Sequence, residues 1–212
     1  MSELELAPNL YIQLTPAGAY QALCSPVADK SRRFLQRILQ QPTSPSASKE
    51  ELATLMESDD YAKNLELLYH CQKLGWLHGI GSSIQAPSEA LEDILPSLLS
   101  AISETDKVLL ADEQGFYLSS SGFPHETAEE LSALSAELAT VHARRTGLLA
   151  NNLGLASHAW AIVDAYGFSQ IGFWPLFIGK HRFVVAIAGI PHFNRDHFVT
   201  LAWALSIRYC EK

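Results

Sequence analysis

Three extended apolar stretches close to the C-terminus, residues 159–166, 171–178 and 183–189, are separated by only four residues each, Gly167-Phe168-Ser169-Gln170 and Gly179-Lys180-His181-Arg182. A parallel neighbour needs a crossover of a dozen or more residues, so links this short force the three into an antiparallel meander. A second hairpin is written upstream, where residues 107–112 and 116–120 flank Glu113-Gln114-Gly115. Between the two sets lies one long helical pattern, residues 125–151. There Thr127 and Glu130 have the spacing of a capping box, and Arg144 and Arg145 lie toward the negative end of the helix dipole.

An amphipathic helix over 87–103 and a last helix over 194–208 complete the order α-β-β-α-β-β-β-α. The fold class is α+β: a five-stranded, mostly antiparallel sheet flanked by three helices. Pro175 has no N–H to give a ladder, which predicts a bulge or a strand end there. On the long helix, Leu131, Leu134, Leu138, Val141 and Leu148 form a stripe expected to pack on the sheet. Ala128, Ala133, Ala136 and Ala139 leave thin positions beside it, where a second helix of the same kind fits. Residues 116–120 are expected to be an edge strand with neither charge nor proline to block pairing.

The run Gly79-Ile80-Gly81-Ser82-Ser83-Ile84-Gln85-Ala86-Pro87-Ser88 has the composition of a domain boundary, which divides the chain into 1–85 and 86–212. In the first part, residues 9–14 and 19–23 flank Thr15-Pro16-Ala17-Gly18 and predict a small hairpin. A helix is expected from Pro26 to the break at Pro42, a short one from the Ser48/Glu51 capping box through Met56, and a third over 60–74. The third carries Leu65, Leu68, Tyr69 and Gln72 inward and is stopped by Gly75 before an extended Trp76-Leu77-His78. Three helices and a strand behind a hairpin resemble the winged-helix plan.

Of 212 residues 48% are hydrophobic and 18% charged, enough to fill a core. Fifteen Lys and Arg against 23 Asp and Glu give a net charge of −8, which argues against a broad phosphate-binding surface. Cys24, Cys71 and Cys210 are an odd number without a CxxC, and the acidic MSELELAPN start has no signal-peptide character. A reduced, cytoplasmic protein without a membrane span is the expectation. His192, Asp196 and His197 lack helical ligand spacing, and His158 and His181 stand apart near strand ends, so no metal site is predicted. The Ser119-Ser120-Ser121-Gly122 run is not a nucleophile elbow, and no phosphate-cradling glycine loop is present. No cofactor and no catalytic residue follow from these patterns.

The segments ILPSLLSAI, KVLLADEQGFYLSSSG and ETAEELSALSAELATVHARR, then the strands within HAWAIVDAYGFSQIGFWPLFIGKHRFVVAIAG, resemble the roadblock / dynein light chain family over about residues 88–210. That resemblance implies a non-catalytic adaptor that forms homodimers by joining second strands edge to edge, with a protein partner such as a small Ras-like GTPase. It places the dimer interface on Phe116, Tyr117, Leu118 and Ser119. Glu137, His142, Arg144 and Arg145 are candidates for partner or cross-dimer contact. The alternative is a DNA-binding transcription regulator that uses Lys63 and Lys73 of the winged-helix-like part, with the C-terminal part for dimerisation or sensing. A third reading, a small-molecule sensor, rests on an apolar space under Trp160, Phe173 and Trp174.

Overall fold

The computed structural model describes residues 4–210. Strands β1 (Tyr11–Leu14) and β2 (Leu77–Ile80) pair antiparallel, Tyr11 opposite Ile80 and Leu14 opposite Leu77. Between them run α1 (Pro16–Leu23), α2 (Lys30–Leu39), α3 (Lys49–Met56) and α4 (Tyr61–Lys73). The hairpin expected across Thr15-Pro16-Ala17-Gly18 is not formed, because the same residues start a helix. Thr15 is the N-cap, its Oγ1 accepts from the Gly18 amide at 3.1 Å, and Pro16 takes the first helical position. The partner of β1 therefore comes from 63 to 69 residues downstream.

Asp29 caps α2 by accepting from the Arg32 amide at 2.8 Å, so that helix begins later than Pro26. Ser48 caps α3 as expected, and Asp60 caps α4. The buried residues of α4 are Asn64, Leu65 and Cys71, whereas Tyr69, expected inside, is exposed.

Helix α5 (Leu91–Ala101) leads into the hairpin β3 (Val108–Ala111) and β4 (Tyr117–Ser121), then α6 (His125–Arg144). The meander β5 (Trp160–Val163), β6 (Ser169–Ile178) and β7 (His181–Ala188) follows, then α7 (Asp196–Tyr209). The sheet order is β4-β3-β7-β6-β5, with every neighbouring pair antiparallel. Helix α6 ends at Arg144 and passes into a wider helical turn, Gly147–Asn152, rather than continuing unbroken to residue 151. Its expected Thr127/Glu130 cap is absent, since the helix starts at His125 and Thr127 already lies inside its first turn.

Pro175 neither ends β6 nor shifts its register: it stands opposite Val184 in an unbroken ladder with β7. Strand β5 reaches only to Trp160 opposite Phe173, so no strand lies on the other side of Pro175 and its missing N–H costs no hydrogen bond.

The hairpins β3–β4 and β5–β6 share one turn design. Asp112 Oδ1 accepts from the amides of Gln114 and Phe116, and Asp164 Oδ1 from those of Tyr166 and Phe168, all at 2.9 to 3.0 Å. Gly115 and Gly167 supply the positive φ of +90° and +87° that each turn requires.

The sheet is packed on both faces. Val108, Leu110, Leu176, Ile178, Phe183, Val185 and Ile187 join buried side chains of α5 and α7 and of the N-terminal helices in one continuous core. The stretches on either side of residue 85 thus meet in shared packing, and Trp203 of α7 donates its indole N–H to the Gln41 carbonyl at 2.8 Å. The opposite face carries Leu109, Ala111, Phe173, Val184 and Ala186 against Ala128 of α6. No helix among the described residues is long and apolar enough to cross a membrane.

Candidate docking surface

Helix α6 packs with its small side chains inward. Its buried residues are Ala128, Ser132, Ser135 and His142. Ser132 Oγ donates to the Ala128 carbonyl and Ser135 Oγ to the Ser132 carbonyl, both at 2.7 Å, so the buried hydroxyls need nothing from the sheet. Short side chains let the helix approach closely: a Cβ on Gly115 would stand 3.2 Å from the Cα of Ala133.

The leucine stripe expected to cover the sheet is split as a result. Leu131 and Leu138 are half-buried against the sheet cluster, whereas Leu134, Val141 and Leu148 are exposed, Leu148 to 49%. Strand β5, at the sheet edge beside the end of α6, adds Ile162 at 61% and Val163 at 54%. Tyr166 and Phe168 in the turn that follows are exposed as well. Isolated apolar side chains on a surface need no explanation, but this set runs along α6 and the turn after it and on to a strand with one free edge.

The end of α6 is joined to β5 by an aromatic cluster. Trp160 Nε1–H donates to His142 Nδ1 at 3.2 Å, His142 and His158 have ring centroids 4.6 Å apart, and His158 meets the edge of Phe177 at 5.3 Å. Burial, with the charges of His142 and Arg32 nearby, holds the His158 pKa below the ordinary imidazole value. His142, expected on the surface, is 9% exposed, while Glu137, Arg144 and Arg145 are on the outside.

At the other edge, β4 pairs only with β3. Phe116 precedes the strand in the turn and is 68% exposed; Tyr117 packs toward α6 and pairs its hydroxyl with His125 Nδ1 at 2.7 Å. Leu118 turns to the α5/α7 side, and Ser119 stands opposite Leu110. The four residues are consecutive but do not share a face.

Strand alternation puts Phe173 and Trp174 on opposite faces, Trp174 against Phe193 at 5.4 Å, so they do not line one apolar space with Trp160. Lys63 is paired with Asp60 at 2.7 Å at the start of α4, and Lys73 is at its far end. Burial pushes the Cys71 thiol up to about 11, which suits a packed side chain rather than a nucleophile. Among the described residues no three or more His, Cys, Asp or Glu gather to hold a metal. The outward leucines and the Trp160–His142 join were not foreseen. The spacing of Ala128, Ser132 and Ser135 was their only signal in the sequence.

No family model matches the chain, and no curated protein matches it. Among solved structures it is similar to a Roadblock/LC7 domain from Streptomyces avermitilis, at 15% identity and a TM-score of 0.36 over 57% of this chain and 93% of that one. It is similar to Myxococcus xanthus MglB at 16% identity and a TM-score of 0.40, over 58% of this chain and 98% of that one. A structure described as MglB with tetrameric arrangement is 19% identical, with a TM-score of 0.37 over 58% of this chain and 92% of that one.

Proposed function

We propose that the protein is a non-catalytic adaptor that self-associates through α6 and β5 and docks a protein partner, for which a small Ras-like GTPase is the class implied by the sequence resemblance. The observation that carries this reading is the split packing of α6, with its serines toward the sheet and Leu134 and Val141, joined by Leu148 in the turn that follows, toward solvent. Apolar side chains left outside a helix that had small residues to spare are accounted for by a second surface that covers them. The pattern is also self-complementary. Glu137 and Arg145 lie four residues on either side of Val141, so an antiparallel copy centred there sets Glu137 opposite Arg145, with Arg144 beside it.

The unpaired β5 edge lies beside the same helix end, so two copies joined there would extend one sheet. Light scattering behind size exclusion tests the assembly. A dimer at tens of micromolar is expected, and Leu134→Glu with Val141→Glu should yield a monomer with unchanged circular dichroism. A wild-type monomer at that concentration removes the proposal. Binding of purified small GTPases, measured with and without guanosine triphosphate, tests the partner class.

A further inference from the structure

The second free edge of the sheet, β4, lies away from α6's exposed stripe and has its own surroundings. From Tyr117 to Ser121 the strand pairs only with β3, and its outward N–H and C=O groups meet no described partner. Natural edges are blunted by lysine, proline or a covering loop, and Tyr-Leu-Ser-Ser-Ser has no such device. A groove of about 760 Å³ opens beside Leu118, between the start of α5 and the end of α7, with Leu91, Leu95 and Ile207 among its apolar walls.

Carboxylates flank the strand on both faces. Glu89 and Glu92 line the groove on the α5 side. On the other side Glu126, Glu129 and Glu130 project from the first turns of α6, which is tied to β4 by the Tyr117–His125 hydrogen bond. Arg208 is the one cation among the groove residues, and His125 reaches Glu129 at 3.4 Å.

We infer that β4 is a docking edge for an extended segment of another protein, in which apolar residues alternate with Lys or Arg. The main-chain row specifies a strand, since only an extended chain answers alternating donors and acceptors along five residues. The groove takes the apolar side chain that falls above Leu118, and the carboxylates on both faces take the basic ones. A nucleic acid would be repelled by the same carboxylates, and a second copy is accommodated at the opposite edge without competing. The inference deepens the adaptor reading while standing on β4 rather than on α6.

The full-length, isotope-labelled protein is titrated with a fluorescein-labelled peptide Lys-Val-Lys-Leu-Lys-Val-Lys, and amide exchange is followed residue by residue. An analogue N-methylated on two adjacent residues keeps the charge and loses donors from both edges. The expected result is slowed exchange at the outward amides of residues 117–121, none at β5, and no protection by the analogue. Glu89→Lys with Glu92→Lys should weaken the peptide severalfold.

Equal binding of the analogue, protection at β5 instead of β4, or no binding at millimolar peptide overturns the inference. So does protection of β4 that grows with protein concentration alone, which would hand the edge to a second copy. Light scattering on the same samples reads self-association separately, so a monomer that still shows peptide protection at β4 sinks the α6 reading and leaves this one standing.

Discussion

Trp160 donates its indole N–H to Nδ1 of the buried His142, so a strand at the sheet edge is fastened to the end of the helix that packs beneath it. The bond defines the imidazole: Nδ1 accepts, and a neutral His142 therefore carries its proton on Nε2. Both ends of the proposed self-association surface hang on this contact, because β5 presents Ile162 and Val163 and α6 presents Val141.

Replacing the donor while keeping an aromatic ring isolates that bond. Trp160→Phe leaves a buried acceptor unpaired, at a cost of about 1–3 kcal/mol. For a chain of this size that corresponds to a fall in melting temperature of roughly 2–12 °C. Differential scanning calorimetry measures it, and an unchanged midpoint would show the bond to be replaced by water.

The His158 ring gives the fold a dependence on pH. Its pKa is lowered in the folded state, first by burial and then by the charges of His142 and Arg32. The unfolded chain therefore binds more protons, so stability is full above the ordinary imidazole pKa of about 6.5 and declines as the pH falls below it toward the folded value. Water around the half-exposed ring keeps the effect small. Urea midpoints at pH 8 and pH 5 are expected to separate less in His158→Phe than in the wild type; an equal separation would assign the acid loss to other groups.

The charges beside the exposed stripe make a reversible test of the antiparallel arrangement. Glu137→Arg, or Arg144→Glu with Arg145→Glu, should each weaken self-association by bringing like charges together, and combining all three should restore it. Sedimentation equilibrium at low salt reads the series. A combination no better than the single changes would remove the register centred on Val141.

What could be read in the sequence and what could not divides along a physical line. The pairings β3–β4, β5–β6 and β6–β7 were legible because short glycine turns at Gly115, Gly167 and Gly179 leave hairpins as the only connection. Pairing between β1 and β2 was hidden, since it joins Leu14 to Leu77 and no local pattern announces a partner that distant. The inward face of α6 was misread for a related reason. Hydrophobic spacing assigns all the leucines to the core, yet close packing against the Gly115 turn set Ala128, Ser132 and Ser135 inward, with Leu131 and Leu138 half-buried beside them and Leu134 outside. The exposed apolar residues on which the proposed self-association rests were therefore concealed within a stripe that looked like core.

The start of α1 shows how tightly a misread turn can be held. Thr15 Oγ1 accepts from the Gly18 amide and donates to the Gly75 carbonyl at 2.6 Å, so one hydroxyl caps α1 and anchors it to the loop after α4. A Cβ on Gly18 would lie 1.8 Å from the Trp76 carbonyl oxygen, a backbone atom that cannot swing away. Gly18→Ala, normally favourable inside a helix, should here cost more than about 2 kcal/mol, because α1 must shift away from the chain entering β2. Thr15→Ala should cost about 1–2 kcal/mol through the lost cap. Urea unfolding of both variants checks the order: a hairpin turn at these residues would tolerate Gly18→Ala about as well as Thr15→Ala, whereas the helix start requires the glycine change to be the worse of the two.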